Sequence, residues 1–388
     1  MGQAGGSRGA VGQVLGGTAN MSAADFEALA RQRLPDAHYD FFAGGAGEES
    51  TLRSNTAAYS ELELLPRVLR AVGEPDPTTM LLGMRSRLPI VLSPTAFHRL
   101  AHVDGEVATA RAAASCGVVM IVSMAATTAV ERIARAGATL WFQLYMQSDL
   151  AFTEHLVKRA ESAGCRALVV TADSPAFGIR DRDRRNGFHD LPEGLRCENM
   201  VDDSGTARSI EMFAGLSWEH IAWLRQLTSL PLVLKGVLHP ADAALAVEHR
   251  VDAIMVSNHG GRQLDTVPAT IDVLPEIAAA VRGRVPLIVD GGVRRGIDVV
   301  KALALGADAV GIGRPAVWGL AAGGADGVRA VLDEFREELT TAMALLGAKT
   351  LPELDANLVR RSPRVPRSGS HELNTWLPRS GTREGWRR

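Results

Sequence analysis

Short apolar runs rich in β-branched residues alternate along the chain with longer Ala-rich segments whose apolar residues recur at helical spacing. The runs predict buried strands, and the longer segments predict amphipathic helices. The predicted strands are Leu88–Ser93, Val118–Ser123, Leu140–Tyr145, Ala167–Thr171, Leu230–Lys235, Ala253–Ser257, Pro286–Asp290 and Ala309–Gly313. The predicted helices are Gly105–Ser115, Thr128–Ala136, Leu150–Ala163, Ser217–Thr228, Pro240–Glu248, Ile271–Val281, Gly296–Leu305 and Val328–Leu346. This alternation is typical of βα units around a parallel sheet.

Eight such units favour a closed (β/α)8 barrel, the TIM-barrel fold of the α/β class, because closure leaves no strand edge exposed. An open doubly wound sheet is the alternative, supported by Gly311-Ile-Gly-Arg-Pro-Ala316, a loose match to a dinucleotide-binding fingerprint. That match lies on the last repeat, whereas such a fingerprint ordinarily opens the first unit. The interval from Asp173 to Leu230 is too long for one crossover. It predicts a long insertion after the fourth strand, and we expect this insertion to act as a lid.

The two ends of the chain differ from its middle. Residues 1–20 are rich in glycine and lack the apolar core of a signal peptide, so they predict a flexible leader. Residues 21–358 are assigned to the barrel domain. Residues 359–388 are assigned to a basic, flexible tail, because Arg360–Arg388 contains eight Arg and two Glu.

Composition narrows the class of function. The 388 residues are 46% hydrophobic and 22% charged, which suits a large globular core. A formal net charge of -2 favours neither a nucleic-acid nor a membrane partner, and the longest apolar stretches have only strand length. Cys116, Cys165 and Cys197 show no CxxC spacing, which disfavours a disulfide framework and indicates a reducing, cytoplasmic compartment. We therefore expect a soluble enzyme that acts on a small molecule.

Polar residues at strand ends are the candidates for chemistry, because the active site of this fold lies at the carboxyl ends of the strands. These residues are Ser123, Gln143, Tyr145, Thr171, Asp173, Lys235, Ser257, His259, Arg262 and Asp290. His259 is followed by two glycines and is the predicted base, and Asp173 on another strand can hold the imidazolium that forms. Arg262 and Arg180 are the predicted clamps for a substrate carboxylate.

Two glycine-arginine clusters end the seventh and eighth strands and predict a phosphate site. They are Asp290-Gly-Gly-Val-Arg294 and Gly311-Ile-Gly313-Arg314. Glycines let backbone N–H groups approach a phosphate, and arginine adds bidentate hydrogen bonds. The loops after these two strands are also the usual phosphate position of the fold.

Lys235 follows five apolar residues, so its ammonium group should leave a buried strand and enter the cavity, where an unpaired charge is costly. A flavin that becomes anionic on reduction is the favoured partner, because Ser123, Gln143 and Thr171 could serve the edge of its ring. A Schiff base with a carbonyl substrate and an ordinary buried ion pair are the alternatives.

Two further features receive no catalytic role. His98 and His102 have HxxxH spacing without an intervening Glu or an evident third ligand, so no metal site is expected. The charged run Asp181–Arg185 is expected to be a solvated loop with internal ion pairs, while its neighbour Arg180 faces inward.

The segment Ser257-Asn-His-Gly-Gly-Arg-Gln-Leu-Asp265 is joined by Lys235-Gly-Val, Asp290-Gly-Gly-Val-Arg-Arg-Gly296 and Gly313-Arg-Pro315. Together they resemble the FMN-dependent 2-hydroxy acid oxidase and dehydrogenase family, which includes glycolate oxidase, lactate oxidase and hydroxymandelate oxidase. The resemblance extends from about Phe26 to Leu346. It implies an FMN cofactor, a small 2-hydroxy acid as substrate and a homotetramer.

The resemblance also implies a role for each matched residue. His259 would be the base with Asp173 as its partner, and Arg262 and Arg180 would bind the carboxylate. Tyr145 would bond the substrate hydroxyl or carboxylate, and Lys235 would contact the flavin near N1 and O2. The other cofactor-binding residues would be Ser123, Gln143, Thr171 and Ser257 at the ring, and Asp290, Gly292, Arg294, Gly313 and Arg314 at the ribityl phosphate.

Two positions depart from the glycolate oxidase pattern. Phe41 stands where the family usually has a second active-site tyrosine, and Ala125 stands where glycolate oxidase has a bulky aromatic residue. One hydroxyl group near the carboxylate is therefore lost and the pocket is wider. Both changes favour a larger, more apolar side chain than that of glycolate, such as an aryl or long-chain group.

The expected reaction is the oxidation of an L-2-hydroxy acid to the 2-oxo acid, with oxygen as acceptor and hydrogen peroxide as product. A 2-hydroxy acid dehydrogenase with a quinone or protein acceptor is one alternative. A non-redox isomerase or lyase on a phosphate-binding barrel is another. Whether the substrate first loses a hydride or a proton stays open at this point.

Overall fold

The computed structural model describes residues 21–202 and 204–363, and several short elements precede its barrel. These elements are α1 (Ala23–Arg33), α2 (Asp36–Ala43), α3 (Ser50–Ser60), β1 (Leu62–Leu64), β2 (Thr79–Leu81) and β3 (Met84–Ser86). The strands β2 and β3 form an antiparallel hairpin. All six lie outside the βα repeat that the sequence pattern predicts.

Eight parallel strands then form a closed barrel in which each strand pairs with the next and the last pairs with the first. The strands are β4 (Ile90–Leu92), β5 (Val119–Ser123), β6 (Thr139–Leu144), β7 (Leu168–Thr171), β8 (Leu232–Val237), β9 (Ala253–Val256), β10 (Leu287–Asp290) and β11 (Ala309–Ile312). The predicted (β/α)8 barrel is confirmed, and the open sheet is excluded. Predicted strand ends differ from the observed ends by two residues at most.

Helices surround the barrel. They are α4 (Gly105–Cys116), α5 (Val130–Ala134), α6 (Leu150–Ser162), α7 (Asp181–Arg185), α8 (Trp218–Leu227), α9 (Pro240–Glu248), α10 (Thr270–Val281), α11 (Gly296–Ala304) and α12 (Arg314–Leu346). The predicted last helix, Val328–Leu346, lies in the part of α12 that follows a kink at Gly323 and Gly324. The prediction missed the first part, which begins at Arg314 because a helix tolerates Pro315 in its first turn. Within the described ranges, no helix is both long and apolar enough to span a membrane.

Side chains that point into the barrel form an apolar cluster of their own. The cluster contains the buried residues Trp141, Val169 and Met255, and Leu81 of the β2–β3 hairpin packs against it. The hairpin directly precedes β4, so it covers the amino-terminal end of the barrel. In this fold the active site lies at the other, carboxyl-terminal end of the strands.

The charged run in the insertion after β7 is not the solvated loop that its composition predicts. Residues Asp181–Arg185 form α7, and Asp183 is buried there and pairs with Arg180 at 3.0 Å. Contacts with residues distant in sequence stabilise this helix, and the composition of the run carries no information about them.

The predicted start of the tail at residue 359 is also wrong. Val359–Arg361 forms β12, which pairs antiparallel with β1. Arg360 and Arg361 form ion pairs with Glu63 and Glu61, so the first basic residues of the tail have acidic partners. The rest of the tail from residue 364 onward, and the leader 1–20, lie outside the described residues.

Candidate active site

A cavity of about 670 Å³ opens at the carboxyl-terminal end of the barrel. Phe97 after β4 and Phe188 of the insertion complete its wall. Most of the predicted site residues line it: Phe41, Ser123, Ala125, Gln143, Tyr145, Thr171, Arg180, Lys235, His259, Arg262, Asp290, Gly292, Arg294, Gly313 and Arg314. Closure of the barrel thus brings together side chains from all parts of the chain.

His259 and Asp173 form a half-buried pair at this cavity. Nδ1 of His259 lies 3.0 Å from Oδ1 of Asp173, and the Ser174 hydroxyl donates to the same Oδ1 at 3.1 Å. A carboxylate at Nδ1 assigns the proton of the neutral ring to that nitrogen. Nε2 therefore carries the free lone pair, and it lies 3.4 Å from the Tyr145 hydroxyl.

The backbone around His259 is left-handed. His259 has φ 59°, and Gly260 and Gly261 continue with positive φ. The Ser257 hydroxyl accepts a hydrogen bond from the His259 N–H at 3.1 Å, which stabilises a conformation that a side chain disfavours. Ser257 is fully buried and does not line the cavity. In the structure its side chain supports the backbone of the base, and its predicted contact with the cofactor stays a prediction.

Burial and neighbouring charges together set the protonation states of His259 and Asp173. Burial by itself would raise the pKa of Asp173, but His259 and Lys235 outweigh it and lower that pKa to about 2. Burial, and then Lys235, lower the pKa of His259 below its ordinary value of 6.5, against the opposing effect of Asp173. At neutral pH the pair is a carboxylate beside a neutral imidazole, which is the state that a general base requires.

Tyr145 lies beside the imidazole, with ring centroids 6.5 Å apart and planes within 9° of parallel. Burial and the charge of Asp173 raise the pKa of Tyr145. Its hydroxyl therefore stays protonated at neutral pH and can donate a hydrogen bond to a substrate oxygen.

Arg180 and Arg262 place their guanidinium groups 5.5 and 5.0 Å from the ring centroid of Phe41. Burial, and then the charge of Arg180, lower the pKa of Arg262 well below its ordinary value, which shows that the two cations repel each other. Asp183 offsets one of the charges through its pair with Arg180. The remaining positive charge matches a monoanionic carboxylate.

Three neutral side chains form a hydrogen-bonded row across adjacent strands. The Ser123 hydroxyl donates to Oε1 of Gln143 at 3.1 Å, and Nε2 of Gln143 donates to the Thr171 hydroxyl at 3.1 Å. Lys235 lies opposite Thr171 on the next strand. The row and the ammonium group together suit the polar edge of a planar heterocycle.

The site also contains two half-buried arginines, Arg294 and Arg314. Burial lowers the pKa of both Arg294 and Arg314, and the charge of Arg294 helps to bring the pKa of Arg314 to about 9. An anion between them would relieve this cost. Gly313 precedes α12 without a side-chain cap, and a Cβ atom there would have no neighbour within 3.7 Å, so the helix N-terminus is open to a phosphate.

The histidine motif also holds the site together through residues that had no predicted role. Asn258 and Asn55 of α3 exchange two amide hydrogen bonds, at 2.7 and 2.9 Å. Asp265 accepts the Thr51 N–H at 2.8 Å and so caps the start of α3. Nε2 of Gln263 donates to the Asp173 carbonyl at 3.2 Å. The only signal for these roles in the sequence is membership of the nine-residue motif.

Ser93 and Thr95 also line the cavity, and the sequence pattern did not predict either of them as a site residue. Ser93 ends the first predicted strand, so the strand-end rule could have found it. A Cβ atom on Gly311 would lie 2.4 Å from the Ser93 hydroxyl, so this glycine makes room for it.

His98 and His102 are engaged elsewhere. Nδ1 of His98 lies 3.0 Å from the Thr109 hydroxyl, and Nδ1 of His102 accepts the Asp104 N–H at 3.2 Å. The described part of the chain contains no group of three His, Cys, Asp or Glu that could hold a metal ion.

Comparison with known proteins identifies the family. Residues 30–361 match the family model described as FMN-dependent dehydrogenase. The chain belongs to the FMN-dependent dehydrogenase family. Human 2-hydroxyacid oxidase 1 is 49% identical, over 87% of this chain and 96% of that protein. The L-lactate oxidase of Nostoc sp. is 45% identical, over 86% and 96%. A structure of mandelate oxidase with benzoyl-formic acid has a TM-score of 0.82 and 43% identity, covering 88% of this chain and 98% of that one.

Membership of this family confirms the predicted cofactor, FMN, and the predicted class of enzyme, an FMN-dependent 2-hydroxy acid oxidase. The residues of the cavity fit FMN. Within the described residues, the Ser93 hydroxyl and Oδ1 of Asp290 are buried without a hydrogen-bond partner. Buried polar atoms of this kind need a partner, and the polar groups of FMN can supply it.

Proposed function

We propose that this enzyme oxidises an L-2-hydroxy acid to the corresponding 2-oxo acid, with molecular oxygen as acceptor and hydrogen peroxide as the second product. One observation carries the proposal: a neutral imidazole held by Asp173 shares a cavity with the two cations Arg180 and Arg262. A base beside a carboxylate clamp is what oxidation next to a carboxylate requires. Relatives named L-lactate oxidase and (S)-2-hydroxyacid oxidase support the proposed substrate class and the L configuration of the substrate.

Separate groups of residues would hold the two parts of the cofactor. FMN, when bound, supplies the acceptor for the two electrons that leave the α-carbon. Lys235 would favour negative charge at the pyrimidine edge of the ring. The remaining contacts would come from Ser123, Gln143 and Thr171 at the ring, and from Asp290, Gly292, Arg294, Gly313 and Arg314 at the ribityl phosphate.

The protein groups handle the protons. Nε2 of His259 accepts one proton from the substrate, and Asp173 stabilises the imidazolium that forms. Tyr145 donates its hydroxyl hydrogen to a substrate oxygen. The geometry suits removal of a proton from either the hydroxyl group or the α-carbon, because the hydroxyl group is bonded to the α-carbon and the two protons are close together.

We propose that the substrate side chain is aryl or long-chain. Phe41 is stacked on Phe97, with ring centroids 5.2 Å apart, and contacts Phe188 at the same centroid distance, so this wall of the cavity is aromatic. Ala125 presents only a methyl group to the cavity. Burial of apolar substrate surface against such walls contributes roughly 25 cal/mol per Å². The similarity to mandelate oxidase agrees with this choice.

A homotetramer and a cytoplasmic location complete the proposal. The tetramer rests on the family resemblance, and the location rests on three cysteines that are free in the structure. Relatives named peroxisomal in Arabidopsis thaliana make the peroxisome the compartment to test against. Light scattering on the holoenzyme and fractionation of the source cells would check the two statements.

The central experiment mixes the holoenzyme anaerobically with glycolate, lactate, mandelate and a long-chain 2-hydroxy acid, each as both enantiomers where these exist. We expect the flavin to bleach fastest with L-mandelate or the long-chain L-acid, and peroxide to appear in air. Faster bleaching by glycolate would contradict the side-chain assignment. Bleaching without peroxide would favour a dehydrogenase, and no bleaching would contradict the function. As a matched test, Ala125→Trp should slow mandelate oxidation and spare glycolate.

A further inference from the structure

Arg182 lies outside the groups assigned to substrate or cofactor, yet it joins the insertion to the helices that precede the barrel. Its Nη2 lies 2.7 Å from Oε2 of Glu49, and its Nη1 lies 3.2 Å from Oδ1 of Asp40. The three side chains are only 30%, 15% and 23% exposed. Nδ2 of Asn186 donates to the other oxygen of Asp40 at 2.9 Å. Polar contacts at both ends of α7 therefore anchor this helix to Asp40 and Glu49.

The segment that Arg182 anchors, residues 40–49, is called here the α2–α3 turn. The same turn receives the substrate clamp: Nη1 of Arg262 donates to the carbonyls of Phe41 and Gly44, at 2.6 and 2.9 Å. A Cβ atom on Gly44 would lie 3.3 Å from Cδ of Arg182, so Arg182 packs against the turn where Arg262 is bound. Arg314 donates to the same turn, at the carbonyls of Phe42 and Gly44, at 2.9 and 2.8 Å. Displacement of the turn would therefore move Phe41, Arg262 and Arg314.

Arg182 is also close in sequence to Arg180, the second cation of the clamp. Arg180 is the residue before α7 and lies two positions from Arg182. The Gly47 N–H donates to the Ile179 carbonyl at 2.9 Å, which adds a backbone link between the insertion and the α2–α3 turn. Both arginines of the clamp are thus attached to the two segments that Arg182 joins.

A clamp made of two like charges needs an external restraint. Arg180 and Arg262 repel each other, and one ion pair with Asp183 does not neutralise both. The ion pair between Arg182 and Glu49 is charged at neutral pH. Burial would raise the pKa of Glu49, but the hydrogen bonds from Arg182 and the Gly45 N–H and the charges of Arg182 and Arg314 together outweigh it and lower that pKa. Half-buried ion pairs are screened by solvent less than exposed ones.

We propose that Arg182 is a positioning residue: by joining α7 to the α2–α3 turn, it keeps Arg180 and Arg262 at the spacing that a substrate carboxylate needs. The proposal rests on the proposed function, in which these two arginines bind that carboxylate. Arg182 itself touches neither substrate nor cofactor, so its loss should weaken carboxylate binding and leave the chemical step intact.

The test compares holoenzyme variants by two readouts. The first is the Kd of phenylacetate, a carboxylate without a hydroxyl group to oxidise, measured from the change in flavin absorbance. The second is the division of the effect between KM and kcat for the preferred hydroxy acid. Both are measured on protein saturated with FMN, because Arg314 is bound to the same turn. We expect Arg182→Gln to raise Kd and KM about fivefold, with kcat little changed. Arg182→Lys should recover part of the loss.

Arg225→Gln is the matched control, because Arg225 is also 30% exposed and pairs with Asp252 away from the cavity. It should leave both Kd and KM unchanged. Glu49→Gln should weaken phenylacetate binding, and adding it to Arg182→Gln should cause little further loss, since both changes remove the same ion pair.

Two outcomes separate this proposal from the function on which it rests. If Arg180→Gln weakens phenylacetate binding and Arg182→Gln does not, the positioning role is wrong and the proposed function stands. If neither change weakens binding, the carboxylate clamp is itself misassigned and both proposals fail.

Discussion

At the scale of single residues, charge and burial make His259 a base. Burial and Lys235 hold its pKa below 6.5, and Asp173 acts in the opposite direction. The imidazole is therefore neutral in the range where most enzymes work, and the carboxylate is placed to receive the imidazolium once it forms. Local sequence identifies the pair, but the balance of these charges depends on three strands of the barrel.

This balance predicts the pH dependence of the reaction. The base acts only when neutral, and the pKa of His259 lies below 6.5. We therefore expect kcat/KM to be constant above this pKa and to fall as the pH drops below it. Asp173→Asn removes the group that raises this pKa, so the acidic limb should move to lower pH. The variant should also lose on the order of 10²- to 10⁴-fold in kcat/KM, because the imidazolium has lost its counter-ion.

Profiles of kcat/KM against pH for both proteins check the prediction. Asp252→Asn is the control, since Asp252 pairs with Arg225 outside the cavity, and it should keep the profile of the unmodified enzyme. An acidic limb that moves to higher pH in Asp173→Asn would show that the carboxylate does not stabilise the protonated imidazole.

At the scale of elements, an irregularity in β8 makes the catalytic pair possible. The register of β8 against β9 shifts between Lys235 and Val237, which is typical of a β-bulge. Gly236 lies at the shift with φ 103°, and a Cβ atom there would be 2.6 Å from Cβ of Asp173. The bulge thus leaves room for Asp173 on the neighbouring chain segment.

Gly236→Ala should therefore damage both stability and catalysis. The positive φ costs about 1–2 kcal/mol of unfolding free energy for a residue with a Cβ atom, and the new methyl group should push Asp173 away from His259. Gly283→Ala is the matched control: Gly283 also has a positive φ, but a Cβ atom there has open space. Thermal unfolding and kcat measure the two effects. Equal kcat values for the two variants would show that Asp173 tolerates the displacement.

At the scale of the whole molecule, the barrel closes around a site that carries several positive charges. Arg180, Arg262, Arg294 and Arg314 all line the cavity. Anionic ligands would relieve repulsion among these groups inside the folded chain, so ligand binding and stability should be coupled.

Removing FMN should lower Tm, because a ligand that binds only the folded chain stabilises it by about 2.7 kcal/mol at 100 times its Kd. Riboflavin lacks the phosphate and should stabilise the apoprotein less than FMN does. Arg294→Gln should narrow this difference, because it removes one partner of the phosphate. Thermal unfolding of the apoprotein with each flavin measures it. Equal stabilisation by riboflavin and FMN would place the phosphate away from these arginines.

The sequence by itself determined the barrel, its strands to within two residues, the family and nearly all of the cavity. Strand periodicity is a local property, and the rule that strand ends form the site needs no knowledge of contacts. Only the tertiary structure decided that Ser257 turns inward, that Asp181–Arg185 is an anchored helix, and that Val359–Arg361 extends a sheet. Each of these depends on a partner far away along the chain, and the free energy of such contacts leaves no trace in the local pattern of residues.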